Sequence, residues 1–409
     1  MRSSIAGALL FATIPLLVAA QNGTTQNGTA PPATIFVAGY DGFVRTLALT
    51  GEGNSSALTL VNQTDGCGAN PSWLNIEITK QRVWCLDEGF VAGFGTLNSL
   101  DIEDNGILRP VEHRNVSASP VHSRIYNGGK NIVLAQFGNA ETSGIRGGLT
   151  VHSIGDNGVL GASTNITFPG LSAPGPRPGQ ALPRAHGVFS DPEDKNLVVL
   201  DYGADLIRIY KQETDGSLTE GAVTRLAPGT GPRHARFFQH SANPQLYLFV
   251  LSEFQNTIST FNVSYDDDKL VLTGPSRVID TFGGWGDATT LQNAKAAEIR
   301  VTYDNKFVIV SNRNDTTFPD SDSLTTFTVN ADGSLVPVQI AAAGGKFPRS
   351  FQVNLKGDKV LVAAQTDSKV IVLARNPQSG LISGPIASLA IDTTIDGVPA
   401  GLPAAIWNE

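Results

Sequence analysis

Two stretches of the chain follow one plan: LPRAHGVFSDPEDKNLVVLDYGADLIRIY, residues 182–210, and GPRHARFFQHSANPQLYLFVLSEFQNTISTF, residues 231–261. Each opens beside a proline, passes through a short apolar run and a polar turn, and reaches a second apolar run that ends on an acidic residue. Short runs rich in Val, Ile and Phe, bounded by turn-forming residues, are typical of β-strands. Both stretches therefore predict the same pair of adjacent strands.

Further copies of this strand pair extend over most of the chain. The first strand recurs as NPSWLNI, SPVHSRI, LPRAHGV, GPRHARF, KAAEIRV, FPRSFQV and LPAAIW. The second strand recurs as IFVAGYDG, VWCLDEG, IVLAQFG, LVVLDYG, LFVLSEF, FVIVSNR and VLVAAQT. Later turn signals such as DNGIL, DNGVL, TDGSL and ADGSL add a hairpin to many copies. Four short strands per repeat of this length predict the blade of a β-propeller.

The two ends of the chain predict how the ring of blades closes. IFVAGYDG has no first strand before it, and the C-terminal LPAAIW has no second strand after it. We expect Pro403–Trp407 to pair with Thr34–Gly39 in one composite blade, because ring closure removes exposed sheet edges. The prediction is an all-β fold, a seven-bladed β-propeller over residues 34–409 closed by the C-terminal strand. A β-sandwich with coincidental Pro and Gly spacing is the alternative.

The composition excludes some classes of partner. The chain has 409 residues, 43 Gly, 23 Pro, 16% charged residues and a net charge of −8. A nucleic-acid-binding surface is basic, so we expect no nucleic-acid partner. Beyond residue 20 no apolar run is long enough to span a bilayer, so we expect no membrane partner.

The N-terminus has the composition of a secretory leader. Arg2 precedes an apolar run from Ile5 to Ala20 that ends in small residues. This pattern predicts a signal peptide over residues 1–20, a disordered leader over residues 21–33 and a secreted, extracellular protein. A membrane anchor is the alternative, which the shortness of the apolar run disfavours. Candidate glycosylation sites agree with secretion; they are Asn22, Asn27, Asn54, Asn62, Asn115, Asn165, Asn262 and Asn314.

The sequence contains two cysteines, Cys67 and Cys85, on either side of one predicted strand. In an oxidising compartment such a pair usually forms a disulfide. Two cysteines without a nearby histidine make a poor zinc site. We therefore predict one disulfide, no metal site and no cofactor.

Charged residues at the predicted strand ends indicate a functional site. In a propeller the first strand of each blade lines the central channel, and the second strand runs antiparallel to it. First-strand starts and second-strand ends therefore lie at the same mouth of the channel. The first set is Arg184, His186, Arg233, His234, Glu298, Arg300 and Arg349. The second set is Glu88, Gln136, Asp201, Glu253, Arg313 and Gln365.

These residues have the chemistry of an acid/base site combined with an anion site. His186 or Glu253 could transfer protons, because burial and neighbouring charges shift such groups toward the working pH. Arg233 and Arg313 are suited to bind a carboxylate or to stabilise an oxyanion. A polar channel opening without function is the alternative. The remaining candidates, for substrate binding, are Arg349, Asp201, Glu88, Arg184 and Gln365.

The repeats resemble the seven-bladed propeller lactonase family, which includes a bacterial-type 6-phosphogluconolactonase and the fungal 3-carboxy-cis,cis-muconate lactonizing enzyme. The resemblance runs from about residue 34 to the C-terminus and is carried by HGVFSDP with LDYGAD, GPRH with LSE, AAEIRVTYDNKFVIVSNR, FPRSF and AIW. By this similarity, the residues expected to carry the chemistry are His186, Arg233, Glu253 and Arg313.

The resemblance implies a metal-independent enzyme that acts on a lactone ring of a carboxylated or polyhydroxylated small molecule. The reaction would be hydrolysis by a lactonase, which is a carboxylic-ester hydrolase. Alternatively it would be ring closure by a carboxymuconate cyclase-like intramolecular lyase, classed as an isomerase. A propeller that binds a ligand or glycan without turnover, and a structural or cell-wall-associated protein, are the remaining alternatives.

Overall fold

The computed structural model describes residues 32–90, 93–117, 119–139 and 144–409. The predicted signal peptide, nearly all of the predicted leader, and the sequons at Asn22 and Asn27 lie outside these residues. Within the described ranges, no helix is long and apolar enough to cross a membrane. The disordered state of the leader and the removal of the signal peptide stay predictions.

The regular secondary structure of the described chain is almost entirely short antiparallel strands. In chain order they are β1 (Ala33–Ala38), β2 (Val44–Thr50), β3 (Ala57–Thr64), β4 (Pro71–Glu77), β5 (Arg82–Asp87), β6 (Gly95–Ile102), β7 (Leu108–Val116), β8 (Pro120–Tyr126), β9 (Asn131–Gln136), β10 (Gly148–Ile154), β11 (Leu160–Thr167), β12 (Ala185–Ser190), β13 (Asn196–Asp201), β14 (Leu206–Gln212), β15 (Leu218–Arg225), β16 (Pro232–Gln239), β17 (Leu246–Ser252), β18 (Thr257–Asp266), β19 (Lys269–Asp280), β20 (Lys295–Val301), β21 (Phe307–Arg313), β22 (Ser323–Val329), β23 (Leu335–Ala342), β24 (Pro348–Val353), β25 (Lys359–Ala364), β26 (Lys369–Arg375), β27 (Ile382–Ala390), β28 (Thr394–Ile395), β29 (Val398–Pro399) and β30 (Ala404–Trp407). One short helix, α1 (Ala288–Asn293), and 3₁₀ turns at Gly53–Ser55, Ile78–Lys80 and Asp104–Gly106 lie between them.

These strands form seven four-stranded blades, which confirms the predicted propeller. Blade 1 has the order β3-β2-β1-β30, and blades 2 to 7 each use four consecutive strands, from β4–β7 to β24–β27. β28 and β29 form a separate two-stranded ribbon. The inner strands β30, β4, β8, β12, β16, β20 and β24 contact one another in turn around a closed ring.

The predicted composite blade is confirmed. β30 pairs antiparallel with β1, so that Ile35 lies opposite Trp407 and Ala38 lies opposite Ala404. The C-terminal strand therefore supplies the inner strand that the first repeat lacks. Because β30 also contacts the inner strands of blades 2 and 7, it completes the ring.

The hydrophobic core lies between neighbouring blades. Within the described residues, each of the seven blade interfaces contains one cluster of buried apolar side chains. The second strand of a blade contributes side chains to the interfaces on both of its sides, and Leu197 to Leu200 in β13 are fully buried. Burial on both faces explains why these strands are continuously apolar in sequence.

The Asp-Gly and Asn-Gly pairs form the tight turns that the sequence predicts. Gly216, between β14 and β15, has a φ of +84°, which favours glycine, and a Cβ there would lie 2.2 Å from Asn131 Oδ1. The turn therefore packs directly against the neighbouring blade. This contact explains why the position requires glycine itself, since any larger turn-forming residue would meet the neighbouring blade.

The predicted disulfide between Cys67 and Cys85 is present, with the two Cα atoms 5.9 Å apart. Cys67 precedes β4 and Cys85 lies within β5, so the bond ties the segment before blade 2 to the second strand of that blade. Sequons in the described part of the chain are exposed at four positions and half-buried at Asn62 and Asn262. The exposed ones are Asn54, Asn115, Asn165 and Asn314. Glycosylation itself stays a prediction.

Candidate active site

The side chains of one channel mouth are presented by irregularities in the inner strands. The pairing of β12 with β13 skips His186, the pairing of β16 with β17 skips Arg233, and the pairing of β24 with β25 skips Arg349. An extra residue of this kind is a β-bulge, which redirects a side chain and is common beside active sites. We call this end of the channel the upper mouth; its charged residues include Arg233, Glu253, Arg313, Arg349 and Glu88.

Two arginines share one carboxylate at the upper mouth. Glu253 Oε2 lies 3.0 Å from Arg233 Nε and 2.8 Å from Arg313 Nη2. The Arg233 contact is an ion pair without an aligned N–H hydrogen bond among the described atoms. All three side chains are at most 10% exposed. Two guanidinium groups against one carboxylate leave one unit of positive charge in this cluster.

The backbone of blade 6 fixes both guanidinium groups. Arg233 Nη1 donates to the carbonyl of Ala297, while Arg313 Nε donates to the carbonyl of Lys295 at 3.1 Å. The Arg313 guanidinium also stacks 4.8 Å from the ring centre of Phe347. The cations are therefore preorganised by the start of β20 rather than held only by Glu253.

His186 and Tyr202 extend the cluster across blade 4. The Tyr202 hydroxyl donates to Glu253 Oε1 at 3.3 Å, and the His186 ring lies 5.9 Å from the Tyr202 ring and 5.7 Å from that of Phe137. His186 Nδ1 is buried and has no hydrogen-bond partner in the described part of the chain. A polar atom that is buried and unpaired indicates a group kept available for a ligand or water.

A second charged group lies at the same mouth. Arg349 donates to Glu88 Oε1 at 3.0 Å and to the Tyr40 hydroxyl at 2.6 Å, and Tyr40 donates to Glu88 Oε1 at 2.7 Å. The Arg349 side chain is 18% exposed, more than either arginine beside Glu253. Arg349 is thus the more accessible of these cations.

Burial and charge determine the protonation states. Burial, reinforced by Arg233 and His234, lowers the pKa of His186 well below its ordinary value, so the imidazole is neutral at neutral pH. Burial alone would raise the pKa of Glu253, but Arg313 and Arg233 outweigh it and hold this pKa below its ordinary value. Burial and the adjacent Arg313 charge lower the pKa of Arg233 to about 9, which leaves it cationic at neutral pH.

The structure thus brings together the four residues expected to carry chemistry, and places Arg349 and Glu88 beside them. Arg184 lies next to this group, with its guanidinium 4.6 Å from the ring centre of Phe137. Gln365 follows β25, and its buried Oε1 has no partner within the described ranges.

Asp201, predicted to bind substrate, instead uses both carboxylate oxygens for hydrogen bonds within the protein. Asp201 Oδ2 accepts hydrogen bonds from Arg208 Nε and Nη2, and Oδ1 accepts from the backbone amides of Arg184 and Ala204. The residue is fully buried. Because side chains alternate along a strand, Asp201 faces Arg208 on the next strand, and the following residue, Tyr202, faces the site.

The position of Arg300 also differs from the prediction, which placed it at the same mouth as Arg233. It lines a cavity at the other end of the channel together with Arg236. Arg300 is the sixth residue of β20, and a strand rises by about 3.3 Å per residue, so its side chain is carried away from the upper mouth.

The sequence analysis missed the aromatic groups of the site, which are Tyr40, Phe137, Tyr202 and Phe254. Phe137 and Tyr202 each follow the last residue of a second strand, as Glu88 and Glu253 do. The aligned repeats contain this signal, but the prediction took only charged and amide side chains into account. Tyr202 also packs against Phe254, with ring centres 4.7 Å apart.

No group of three or more His, Cys, Asp or Glu side chains in the described ranges could hold a metal ion. The sequence profile of one family, described as "Lactonase, 7-bladed beta-propeller", matches residues 34–395. The chain belongs to this lactonase family.

Curated relatives and solved structures agree with that membership. The chain is 26% identical over 373 residues to a probable 6-phosphogluconolactonase of Arthroderma benhamiae, covering 91% of this chain and 89% of that protein. It is 25% identical over 294 residues to the 6-phosphogluconolactonase of Bacillus subtilis, covering 71% and 76%. The periplasmic gluconolactonase of Pseudomonas aeruginosa shares the fold, with a TM-score of 0.74, 20% identity and coverage of 92% and 99%.

Proposed function

We propose that this lactonase is a secreted, metal-independent hydrolase that opens the ring of a sugar-acid lactone. One observation carries the proposal: the Arg233–Glu253–Arg313 cluster has a net positive charge and lies at the same mouth as a neutral histidine with an unpaired nitrogen. Hydrolysis of a lactone needs a base for water and positive charge for the oxyanion, and both are present at this mouth.

In the proposed ring opening, His186 transfers the proton and the arginine cluster stabilises the negative charge. A water molecule attacks the lactone carbonyl carbon and gives one proton to His186, while the arginine cluster stabilises the oxyanion that forms. Collapse of the oxyanion breaks the bond from the carbonyl carbon to the ring oxygen. The protonated His186 then donates its proton to that ring oxygen, and the product is a hydroxy acid.

His186 suits proton transfer better than Glu253. Both Glu253 oxygens are engaged, Oε2 by two guanidinium groups and Oε1 by Tyr202. Its pKa is held below the ordinary value, so at neutral pH it stays a carboxylate paired with the two arginines. Glu253 is accordingly a positioning residue that keeps Arg233 and Arg313 together.

The charge of the mouth and the named relatives support an anionic or polyhydroxylated substrate. Arg349, Glu88 and Tyr40 offer a cation, a carboxylate and a hydroxyl next to the cluster. Such groups suit the hydroxyls of a sugar acid, or a phosphate on it, as in the substrate named for the Bacillus subtilis relative. Muconate-type cyclisation would use the same arginines to bind a diacid. The relatives compared above are named as lactonases, so we propose ring opening.

A panel assay tests the proposed reaction. Purified protein is mixed with δ-gluconolactone, 6-phosphogluconolactone or carboxymuconolactone, with a chelator present, and acid release is followed in a pH-stat against enzyme-free blanks. We expect turnover of a sugar-acid lactone that is unaffected by the chelator and about a hundredfold slower in His186→Gln. His240→Gln is the matched control, since His240 lies beyond the far end of β16. Saturable binding of these lactones without acid release would favour a binding propeller instead.

A separate measurement tests secretion. The full-length chain is expressed in a eukaryotic host, and the N-terminal sequence of the protein in the medium is determined. We expect it to begin at residue 21, after removal of the predicted signal peptide. Protein that stays inside the cells with residues 1–20 attached would contradict this part of the proposal.

A further inference from the structure

The channel has a second, separate cavity at its other end. It has a volume of about 510 Å³ and receives residues from all seven inner strands. Trp73, Phe189, Arg124, Arg236 and Arg300 contribute to its lining. We call this space the lower cavity. Its volume falls in the range of small-molecule sites, which is about 300–1,000 Å³.

Stacked rings separate the lower cavity from the upper mouth. The His186 ring centre is 5.2 Å from that of His234, which is 5.1 Å from that of His122. His122 in turn stacks 4.3 Å from Trp73 and 4.8 Å from Phe189. These spacings leave no room for a ligand to pass between these rings, and no charged residue named for the upper mouth lines the lower cavity. The two ends of the channel are therefore distinct sites.

Two arginines of the lower cavity share one buried carboxylate. Glu298 is fully buried; its Oε1 lies 3.0 Å from Arg236 Nη2 and 3.3 Å from Arg300 Nε, and its Oε2 lies 3.1 Å from His234 Nδ1. Arg124, the third arginine of the lining, donates to Ser190 Oγ at 3.1 Å. Burial and the charge of Arg300 lower the pKa of Arg236 to about 9, because positive charges crowd together here.

Two further carboxylates line the rim, and both accept hydrogen bonds from nearby groups of the protein. Asp191 accepts hydrogen bonds from the amides of Lys195 and Asn196. Asp194 accepts from the amide of Gly128 and from the side chain of Gln212. Their acceptor oxygens are thus directed to turns and a neighbouring strand. Glu298 engages Arg236 and Arg300, whereas Arg124 donates to Ser190 Oγ, so Arg124 and the outer edge of Arg300 can still donate to a ligand.

Part of the lining is apolar and aromatic. The Arg236 guanidinium stacks 5.0 Å from the ring centre of Phe189, and Trp73 forms part of the same wall. Ser123, which is 2% exposed, also lines the cavity, and its Oγ has no hydrogen-bond partner among the described residues. The cavity thus combines cationic donors, a buried unpaired hydroxyl and aromatic faces.

We propose that the lower cavity is a second ligand site, distinct from the upper mouth, which binds a small organic anion with a carboxylate and a flat apolar body. The carboxylate would accept from Arg300 and Arg124, since planar guanidinium groups recognise carboxylates through paired N–H donors. The apolar body would pack against Trp73 and Phe189. This site does not depend on lactone hydrolysis at the upper mouth.

Calorimetric titration of the full chain with benzoate tests the proposal. Benzamide, which has the same shape without the charge, is the ligand control. Arg300→Gln and the exposed Arg124→Gln alter the lower cavity, and Arg349→Gln alters only the upper mouth. We expect saturable benzoate binding that weakens about tenfold in Arg300→Gln and in Arg124→Gln and stays unchanged in Arg349→Gln. Benzamide should bind at least about tenfold more weakly than benzoate.

The outcomes separate the two sites. Arg124 is exposed, so Arg124→Gln keeps the test valid if Arg300→Gln does not fold. Lactone turnover should stay within about twofold of wild type in Arg124→Gln, because the rings isolate the two ends. No saturable binding to the wild type, or benzoate affinity that falls only in Arg349→Gln, would overturn the proposal while leaving the proposed hydrolase unaffected.

Discussion

Replacing Glu253 by Gln should strongly destabilise the protein, because the carboxylate lies between two buried guanidinium groups. Its Oε2 is 3.0 Å from Arg233 Nε and 2.8 Å from Arg313 Nη2. At an effective dielectric constant of about 20, each pair attracts by about 5–6 kcal/mol. Desolvation and repulsion between the arginines offset much of this attraction. Removing one member of a buried ion pair costs about 3–5 kcal/mol, and this is the expected loss of unfolding free energy.

Glu88→Gln is the matched control at the same mouth. Glu88 pairs with one arginine, Arg349, whose side chain is 18% exposed. The expected loss is about 1 kcal/mol, since water can solvate the remaining cation and Gln still accepts a hydrogen bond from Tyr40. Urea unfolding of both variants at pH 7 measures the difference. Equal losses, or a larger loss in Glu88→Gln, would refute the assignment of Glu253 as the group that holds the arginine pair.

The difference in unfolding free energy between wild type and Glu253→Gln should also depend on pH, with a sign that follows from the pKa of Glu253. The pKa of Glu253 is depressed in the folded state, so its stabilisation is fully present above the unfolded pKa of about 4.3. The stabilisation is lost as the pH falls through the folded pKa. The stability gap between wild type and Glu253→Gln should stay constant at about 3–5 kcal/mol from about pH 5 to about pH 8, and it should narrow below about pH 4.

The remaining predictions concern the base, the disulfide and ring closure. His186→Gln should lower kcat about a hundredfold with little change in KM. In the wild type, kcat/KM should fall only below the ordinary histidine pKa of about 6.5, because His186 stays neutral until the pH reaches its lowered pKa. pH–rate profiles of both proteins measure these effects. Cys67→Ser with Cys85→Ser should lower unfolding free energy by about 3 kcal/mol, and thiol titration of the denatured, unreduced wild type should find none. Deletion from Leu402 onward should abolish cooperative thermal unfolding, because it exposes the edge of β1.

The architecture followed from sequence because the repeats encode it redundantly. Seven copies of an apolar second strand fixed the number of blades, and the missing first strand before IFVAGYDG fixed the closure by β30. Burial between two neighbouring blades makes each second strand apolar on both faces. That signal is strong in a single sequence and needs no structural information.

Individual side chains were predicted less well, for two geometric reasons. Asp201 and Tyr202 are adjacent in sequence but point to opposite sides of their strand, so choosing the acidic residue selected the one that pairs with Arg208. Arg300 was counted from the start of its strand, although it lies far enough along β20 to reach the lower cavity. The bulges that present His186 and Arg233 also shift the alternation by one residue, which a simple two-residue alternation does not predict.

One inner strand therefore serves both ends of the channel. In β16, Arg233 lies on a bulge at the upper mouth, His234 contributes a ring to the separating stack, and Arg236 reaches the lower cavity. Glu298 of β20 also connects the separating stack with the lower cavity, since one of its oxygens contacts His234 and the other contacts Arg236. A substitution of His234 would thus disturb both ends at once, whereas substitutions at Arg349 or Arg124 affect one end each. This difference makes the two sites separable by mutation even though β16 contributes to both of them.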